Sequence, residues 1–205
     1  MNTGIILAAG QSTRFGTLKQ TICIEPCLKA MKVLDYVVIV TNAKCYRIIF
    51  EAASALALAF KVIVVDTNRR SESIKAALKT LADDTKRVVI HDVARPYITN
   101  QHISRVIDSS YPYVQYCLKL VNGLVQIGPD GCHYPVNRDD YLELCTPVAV
   151  DYQLACTIWN RDTDADTDQD PEPFDYFRAH GIEYELVYGN LLSLRKLTTK
   201  EDLML

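Results

Sequence analysis

The chain has 205 residues, a length that fits one sizeable core rather than two large domains. Hydrophobic residues make up 49% and charged residues 23%, which excludes a disordered or collagen-like chain. The net charge is −3, so the concentrated positive charge that duplex nucleic acid requires is absent. We therefore expect a single domain over residues 1–205 and no nucleic-acid partner.

The amino-terminal segment and the cysteines point to a reducing compartment. The first ten residues, MNTGIILAAG, do not resemble a signal peptide, and no apolar run reaches the roughly 18 residues that span a bilayer. The seven cysteines are scattered and form no CxxC pair. We expect a cytoplasmic protein with free, mostly buried thiols and no membrane partner.

Short β-branched runs alternate along the chain with segments of helical period, which is typical of βαβ units. The predicted strands are residues 5–8, 36–41, 62–66, 88–91, 116–120 and 184–188. The predicted helices are residues 46–58, a segment through Ile74 and Leu78 with a cap at Ser71 or Ser73, and a short helix near residues 103–107. The fold class is α/β, with a Rossmann-like, mostly parallel sheet sandwiched by helices.

Two later segments interrupt this alternation. Residues 121–140 contain Gly123, Gly128 and a Pro-Asp-Gly turn, and predict a β-hairpin that projects from the sheet as an arm. Residues 162–175 carry seven of the 25 acidic residues, but Thr167 and Pro173 occupy positions where a calcium loop needs Gly and Glu. We expect a solvated acidic loop there.

The first predicted strand runs into LAAGQSTRFGTLKQ, residues 7–20. The small residues Ala8, Ala9 and Gly10 would let backbone N–H groups approach a phosphate, and Arg14 and Lys19 could neutralise a triphosphate. Neither a Walker loop nor a GxGxxG fingerprint is present. The segment predicts a nucleotide-phosphate loop, and a tight strand-to-helix turn with two surface cations is the alternative.

A second candidate is VVIHDVARP, residues 88–96, where a buried strand ends in an acid. Asp92 would lie at the carboxyl edge of the sheet, where open α/β folds bind ligands. A carboxylate there could hold Mg²⁺ against phosphate oxygens, and Arg95 would supply a counter-charge. His91 is interpreted as a packed histidine rather than a base.

Three weaker signals follow. NRRSESIKAAL, residues 68–78, combines Arg69 and Arg70 with a hydroxyl-rich helix start, which a capped helix with exposed arginines would also explain. Arg138 and the Thr146-Pro147 pair follow the arm. Lys196 lies beyond the last predicted strand, and residues 199–202 predict the start of a terminal helix.

In this order the motifs resemble the polyol-phosphate cytidylyltransferases, a family that includes the methylerythritol-phosphate and ribitol-5-phosphate enzymes. LAAGQSTRFGTLKQ is similar to the family's LAAGxGxRMG…PKQ, NRRSESI to RxxSV, VVIHDVARP to HDAARP, and KLTTKEDL to KVTxPEDL. The resemblance covers nearly the whole chain. The DGC segment, residues 130–132, looks closer to the animal ribitol-phosphate branch.

The resemblance implies an enzyme that transfers CMP from CTP to a polyol phosphate with Mg²⁺ as cofactor. D-ribitol 5-phosphate is the acceptor we expect, with 2-C-methyl-D-erythritol 4-phosphate as the alternative. A catalytically dead homologue that serves as a binding or scaffold protein is the hypothesis from another class. The resemblance also implies a homodimer that forms through the arm.

The resemblance assigns roles by position. The CTP-binding residues would be Ala8, Ala9, Gly10, Arg14, Lys19, Arg70 and Ser73, the last two at the cytosine and ribose. Asp92 would be the magnesium ligand, and the acceptor phosphate would be held by Arg95, Thr146, Lys196 and, from a neighbouring subunit, Arg138. The catalytic residues would be Arg14, Lys19, Asp92 and Lys196.

The chain also departs from the family pattern around the loop. Ser12 replaces the second glycine, Leu18 replaces the proline before Lys19, and the spacing from Arg14 to Lys19 is shorter. The segment from Lys19 to the strand at Tyr36 is shorter too. These departures bear on how the triphosphate is held rather than on the fold.

Overall fold

The computed structural model describes residues 1–67, 69–160 and 173–203. The strands of its seven-stranded sheet are, in chain order, β1 (Asn2–Ala8), β2 (Tyr36–Thr41), β3 (Phe60–Val64), β4 (Arg87–Asp92), β5 (Tyr113–Lys119), β8 (Leu142–Asp151) and β9 (Glu185–Tyr188). A separate hairpin consists of β6 (Leu124–Ile127) and β7 (His133–Val136). The helices are α1 (Gln20–Ala30), α2 (Tyr46–Ser54), α3 (Arg70–Leu78), α4 (Asn100–Ile107), α5 (Tyr152–Trp159), α6 (Pro173–His180) and α7 (Leu191–Leu194).

The strand order β3-β2-β1-β4-β8-β5-β9 confirms the α/β, mostly parallel prediction. Strands β3, β2, β1 and β4 are parallel, and β1 pairs with both β2 and β4, so that Ile5 lies between Val38 and Ile90. Only β8 runs antiparallel to its neighbours β4 and β5 within the described sheet. The chain leaves β1 toward β2 on one side and reaches β4 on the other, which creates a crevice at the carboxyl ends of β1 and β4.

The core lies on both faces of the sheet because successive strand residues point to opposite sides. Ile6 and Ile39 face the layer of α1, α2 and α4, whereas Ile5 and Val38 face α3 and α5. Central parallel strands are buried on both faces, which explains the continuous apolar run YVVIVT in β2. The parallel half of the sheet is thereby a rigid base for its carboxyl-edge loops.

Two of the elements that the sequence analysis did not predict, β8 and α1, each contain a proline. Pro147 lies inside β8, where a proline normally argues against a strand, but the β5–β8 register shifts between Gln115 and Tyr116 and accommodates it. Pro26 lies inside α1, where a proline normally argues against a helix. Tertiary packing overrides both signals, since Cys23 and Cys27 of α1 are fully buried.

Several predicted boundaries change. The predicted serine cap of α3 is wrong: the helix begins at Arg70 with Arg69 at its N-cap, and Ser73 is buried inside its first turns. The helix predicted over residues 46–58 ends at Ser54. A 3-10 turn at Lys200–Leu203 replaces the predicted terminal helix.

The predicted hairpin arm, residues 121–140, is present. Its turn closes through hydrogen bonds from Gly128 N–H to Cys132 O at 2.9 Å and from Gly131 N–H to Gly128 O at 2.9 Å. Gly131 has φ +76°, a conformation that L side chains rarely adopt. A further 3-10 turn, Arg138–Asp140, ends the arm.

Five of the seven cysteines are buried, whereas Cys132 is exposed at the tip of the arm and Cys156 is intermediate. Within the described ranges, none of the helices is both long and apolar enough to cross a membrane. Most of the predicted acidic loop, residues 162–172, lies outside the described residues.

Candidate active site

Asp92 is the last residue of β4 and lies in the crevice at the carboxyl edge of the sheet. Its side chain is only 16% exposed, and it contacts two cations: Lys196 Nζ at 3.2 Å and Arg70 Nε at 3.5 Å. Burial alone would raise the pKa of this carboxyl, but Arg70 and Lys196 hold the pKa well below its ordinary value. Asp92 is therefore an ionised carboxylate between two positive charges.

The C-terminal segment carries Lys196 into the crevice. Leu197 N–H donates to Ala94 O at 2.7 Å, which fastens this segment to the turn after β4. Lys19, from the loop after β1, donates from Nζ to Leu197 O at 2.9 Å. Burial lowers the pKa of Lys19, and the neighbouring Lys196 lowers it further. Residues far apart in sequence thus bring both lysines to the crevice: Lys196 contacts Asp92, and Lys19 contacts the segment that carries Lys196.

Thr146 joins the same cluster from β8. Its hydroxyl accepts the Asp92 backbone N–H at 3.0 Å, and the side chain is buried. This bond fixes the end of β4 relative to the neighbouring antiparallel strand. The hydroxyl proton of Thr146 remains available for a further acceptor, because an oxygen can accept one bond and donate another.

Arg95 lies inside the protein rather than facing the crevice. Its guanidinium donates to Leu194 O and contacts Glu143 Oε1 at 3.5 Å, and the residue is 5% exposed. Its own carbonyl accepts a hydrogen bond from His91 Nε2 at 3.0 Å. Burial lowers the pKa of His91 to about 4, so this histidine is neutral and packed. The role of Arg95 at the acceptor phosphate stays a prediction that this placement does not favour.

The loop after β1, residues 9–19, leads directly into α1. Gly10 faces open space, and Arg14 is exposed with no ion pair to any part of the chain that the structure describes. The Gly10 carbonyl accepts a hydrogen bond from Gln20 Nε2, and Ser12 Oγ donates to Gln20 Oε1 at 2.7 Å. The sequence analysis matched Gln20 to the end of the family motif but assigned it no role, since nothing in the sequence shows that its side chain reaches back to the loop.

Asn42 is a second contact that sequence reasoning missed. It follows β2 directly, and its Nδ2 donates to Ala9 O at 3.1 Å. A polar side chain immediately after a buried parallel strand is a usable signal, because such ends converge at one edge of the sheet.

A cavity of about 870 Å³ opens beside the loop at the carboxyl ends of β1, β2 and β3. Ala9, Asn42 and Asp66 are among the residues that line it. Ser73, assigned to the ribose, is buried and donates from Oγ to Arg69 O at 3.2 Å. The cavity has room for a nucleoside next to the phosphate loop, whereas the ribose contact of Ser73 stays a prediction.

Arg138 lies at the base of the arm, away from the Asp92 cluster. It donates to Val121 O and lines a cavity of about 440 Å³ together with Lys119 and Tyr188. In the described chain Arg138 makes no contact with Asp92 or Lys196. The structure therefore does not bring Arg138 to the site of its own subunit.

The donor groups limit how a metal could be held. In the described ranges, His, Cys, Asp and Glu form no group of three that could hold a metal ion. Mg²⁺ commonly uses one or two carboxylates together with substrate phosphates and water. The single carboxylate of Asp92 fits an ion that a bound triphosphate shares, and it does not fit an ion that protein side chains hold alone.

Comparison with known sequences identifies the family of this chain. A model of the family described as 2-C-methyl-D-erythritol 4-phosphate cytidylyltransferase matches residues 3–205. The enzyme of that name from Thermotoga neapolitana is 29% identical over 220 aligned positions, which cover 100% of this chain and 95% of the relative. The Clostridium tetani enzyme is 28% identical and covers 99% of this chain and 87% of the relative.

Solved structures give the same fold. The crystal structure of 4-diphosphocytidyl-2C-methyl-D-erythritol synthase from Anaerococcus prevotii superposes with a TM-score of 0.83, at 22% identity, over 100% of this chain and 95% of that one. A 2-C-methyl-D-erythritol 4-phosphate cytidylyltransferase from Thermus thermophilus gives 0.71 at 19% identity, over 100% and 96%. At these identities the superpositions show the architecture alone.

Proposed function

Because this chain belongs to the family of 2-C-methyl-D-erythritol 4-phosphate cytidylyltransferases and is a CTP-dependent nucleotidyltransferase, we propose that it transfers CMP from CTP to 2-C-methyl-D-erythritol 4-phosphate. The relatives described above carry this substrate in their names, which favours the acceptor that the sequence analysis placed second. The preference for ribitol 5-phosphate rested on residues 130–132 and has no support. Asp130 in fact serves the turn, where it accepts from Cys132 N–H at 3.0 Å and Tyr134 OH at 2.9 Å.

The observation that carries the proposal is one ionised carboxylate among three cations in the crevice. Asp92 contacts Arg70 and Lys196, and the segment that holds Lys196 also holds Lys19. Nucleotidyl transfer needs reactants in line and neutralisation of negative charge on the phosphates, and it needs no covalent protein intermediate. A cluster of this composition supplies both requirements.

In the proposed reaction the nucleoside of CTP occupies the cavity beside Asn42, and its phosphates lie along residues 9–19. An oxygen of the acceptor phosphate attacks the α-phosphorus and forms the new P–O bond. The bond from the α-phosphorus to the oxygen bridging the β-phosphate breaks, and pyrophosphate leaves with the electron pair. Lys19 and Arg14 would neutralise the departing charge, while Lys196 and Thr146 orient the acceptor.

We assign a magnesium ion to Asp92 in the loaded site. When bound there, the ion would draw charge from the phosphate oxygens and favour attack. Asp92 is held by Arg70 and Lys196 in the free protein, so these cations must turn toward the phosphates when the ion and CTP enter. The phosphate charges offset the loss of the two ion pairs.

We further infer a homodimer that forms through the arm. Val125 and Ile127 on the arm are 62% and 70% exposed, which is costly for side chains of this size in a monomer. Arg138 lies at the base of the same arm and does not contact the Asp92 cluster of its own subunit. In a dimer with exchanged arms, Arg138 would complete the acceptor site of the other subunit.

The test is pyrophosphate release from CTP and Mg²⁺ with either acceptor at matched concentrations. We expect kcat/KM for 2-C-methyl-D-erythritol 4-phosphate to exceed that for D-ribitol 5-phosphate by about tenfold or more. Release with ribitol 5-phosphate alone would overturn the acceptor. Saturable heat with CTP but no release with either acceptor would indicate a binding protein, and no heat at all would indicate a scaffold.

A further inference from the structure

Gln20 is a fully buried polar side chain at the first residue of α1, with 1% of its surface exposed. Both ends of its amide contact the loop after β1: Nε2 donates to Gly10 O, and Oε1 accepts from Ser12 Oγ at 2.7 Å. A buried amide with both ends satisfied has one fixed orientation. Gln20 therefore ties two points of the loop to the start of a core helix.

Asn42 holds the preceding residue in the same way. Its Nδ2 donates to Ala9 O at 3.1 Å, and its Oδ1 accepts from Cys45 N–H at 3.1 Å. The second bond fixes which end of the amide faces the loop. The carbonyls of Ala9 and Gly10 are thus both turned toward the protein, one by Asn42 and the other by Gln20.

Because the peptide bond is planar, these contacts also determine where the backbone N–H groups point. In a trans peptide the C=O of one residue points opposite to the N–H of the next. The inward carbonyls of Ala9 and Gly10 therefore turn the N–H groups of Gly10 and Gln11 outward. Across the residues that the structure describes, the backbone N–H groups of positions 10–13 have no hydrogen-bond acceptor. A row of free N–H groups beside open space at Gly10 is suited to an anion.

Ser12 adds a feature peculiar to this chain. It has φ +54°, the only positive φ of a non-glycine residue in the described ranges, at the position where the family motif has glycine. Side chains other than glycine resist this conformation. The hydrogen bond from Ser12 Oγ to Gln20 offsets that resistance and holds the residue in place.

We propose that Gln20 is a positioning residue for the CTP phosphates: by holding the Gly10 carbonyl it aims the amide of Gln11, and its bond to Ser12 takes over the role of the missing glycine. The inference rests on the proposed function for the identity of the anion. Gln20 and Ser12 do not touch the reacting atoms, so substituting them should change nucleotide binding rather than the chemical step.

The first experiment replaces the amide by a side chain of similar shape. For Gln20→Met we expect the KM for CTP to rise about tenfold, while kcat and the acceptor KM stay within about twofold. Without substrate, amide hydrogen exchange of Phe15 and Gly16, whose N–H groups donate to Ser12 O at 3.0 Å and 3.2 Å, should speed up. Thr80→Ala is the matched control, since it removes a helix-end hydroxyl bond to Ala77 O, 2.8 Å long, and should leave the kinetic constants and the exchange unchanged.

The second experiment separates the hydrogen bond from the backbone conformation. Ser12→Gly loses the bond but tolerates positive φ, so the KM for CTP should stay within about threefold of the parent. Ser12→Ala also loses the bond, but its β-carbon still resists positive φ. The KM for CTP should therefore rise further than in Ser12→Gly. In a Gln20→Met background, Ser12→Ala should add less than it does alone, because the two residues share one bond.

The outcomes separate this inference from the proposed function. If the parent releases no pyrophosphate but Gln20→Met still speeds exchange at Phe15 and Gly16, the function is wrong and the positioning role stands. If Gln20→Met folds and leaves both the exchange and the KM for CTP unchanged, the positioning role is wrong. Should Gln20→Met not fold, equal KM values for Ser12→Ala and Ser12→Gly would overturn it.

Discussion

The charged side chains in the two halves of the sheet differ in the contacts that they make. Around β1 and β4, Asp92 and Lys19 find partners in distant segments of the same chain, and the loop is held by buried amides. Around β8, β5 and the arm, Arg138 lies exposed at the base of the arm, and Val125 and Ile127 are exposed farther along it. Under the proposed function, one chain would complete the nucleotide side of the site, whereas the acceptor side would require a second copy.

The largest effect should come from the nucleotide side. Asp92→Asn keeps the shape of the side chain but removes the charge that balances a metal ion and two cations, so kcat should fall about a hundredfold or more. Steady-state pyrophosphate release measures this, and circular dichroism should show an intact fold. Asp35→Asn is the control, because Asp35 accepts from Asn2 N–H at 2.7 Å at the opposite edge of the sheet. Turnover at the parent rate in Asp92→Asn would place the reaction elsewhere.

The next effect tests the acceptor side. Arg138→Ala should raise the KM for the acceptor phosphate by about 10- to 150-fold and leave the KM for CTP nearly unchanged, because a charged contact to phosphate is lost at one substrate only. Arg47→Ala removes another exposed arginine, paired with Glu51 on α2, and serves as the control. Equal increases in both KM values would contradict the division of the site between the halves.

The same variant also tests the dimer. Light scattering of the parent should give twice the 23.1 kDa mass of one chain. Mixing Arg138→Ala with Asp92→Asn should restore part of the activity, since a mixed dimer contains one site with both residues intact. A monomer in solution, or mixed subunits without recovery, would leave Arg138 with no site to complete.

The parallel half of the fold follows from the sequence because its signals are local. Continuous apolar runs identify β1, β2 and β4, and the acid that ends β4 identifies the crevice. The other half depends on pairings that no local pattern carries. β8 contains a proline that only the shifted register with β5 tolerates, and α1 contains another that burial overrides.

The site likewise divides into residues that the sequence predicts and contacts that it does not. Asp92, Lys19 and Lys196 could be found from motifs, whereas the contacts that hold them, such as Lys19 Nζ to Leu197 O, join residues that sequence order keeps apart. Arg95 has a motif that suggests a phosphate ligand, and that role stays a prediction. Burial and the contact with Glu143 on β8, an unpredicted strand, place its guanidinium inside the protein.

The Lys19→Ala variant tests how much Lys19 contributes to CTP binding on the nucleotide side. Lys19 must exchange its hydrogen bond to Leu197 O for a phosphate, so its net contribution to CTP binding should be smaller than a free cation would give, about tenfold in Kd. Titration calorimetry at two salt concentrations measures this, and residual binding should depend less on salt. Lys29→Ala removes an exposed lysine paired with Glu25 in the same helix and should have no effect. An unchanged Kd for CTP in Lys19→Ala would mean that Lys19 in the shortened loop does not contact the triphosphate.

The smallest effect is expected at β9, the edge strand in the half of the sheet that contains β8 and β5. Arg105 on α4 forms a two-point ion pair with Glu185 on β9, and Ser109 Oγ donates to the same carboxylate at 2.6 Å. The hydrogen bonds from Arg105 and Ser109 hold the pKa of Glu185 below its ordinary value. This edge strand is therefore attached partly by charge, unlike the buried strands of the parallel half.

Glu185→Gln should lower the free energy of unfolding at pH 7 by about 1 kcal/mol, the upper end for a partly exposed pair, and Tm by about 2–4 °C. Because the folded pKa is the lower one, the stabilisation is fully present above the ordinary carboxyl pKa of about 4.3, begins to fall below that value and is lost as the pH falls through the folded pKa. Thermal unfolding from pH 7 to about pH 3 should therefore show the variant and the parent converging only below about pH 4. Glu51→Gln, which breaks a fully surface pair on α2, should cost less at pH 7. A gap between Glu185→Gln and the parent that persists at low pH would show that the glutamate acts by packing, and the edge strand would then be held in the same way as the core.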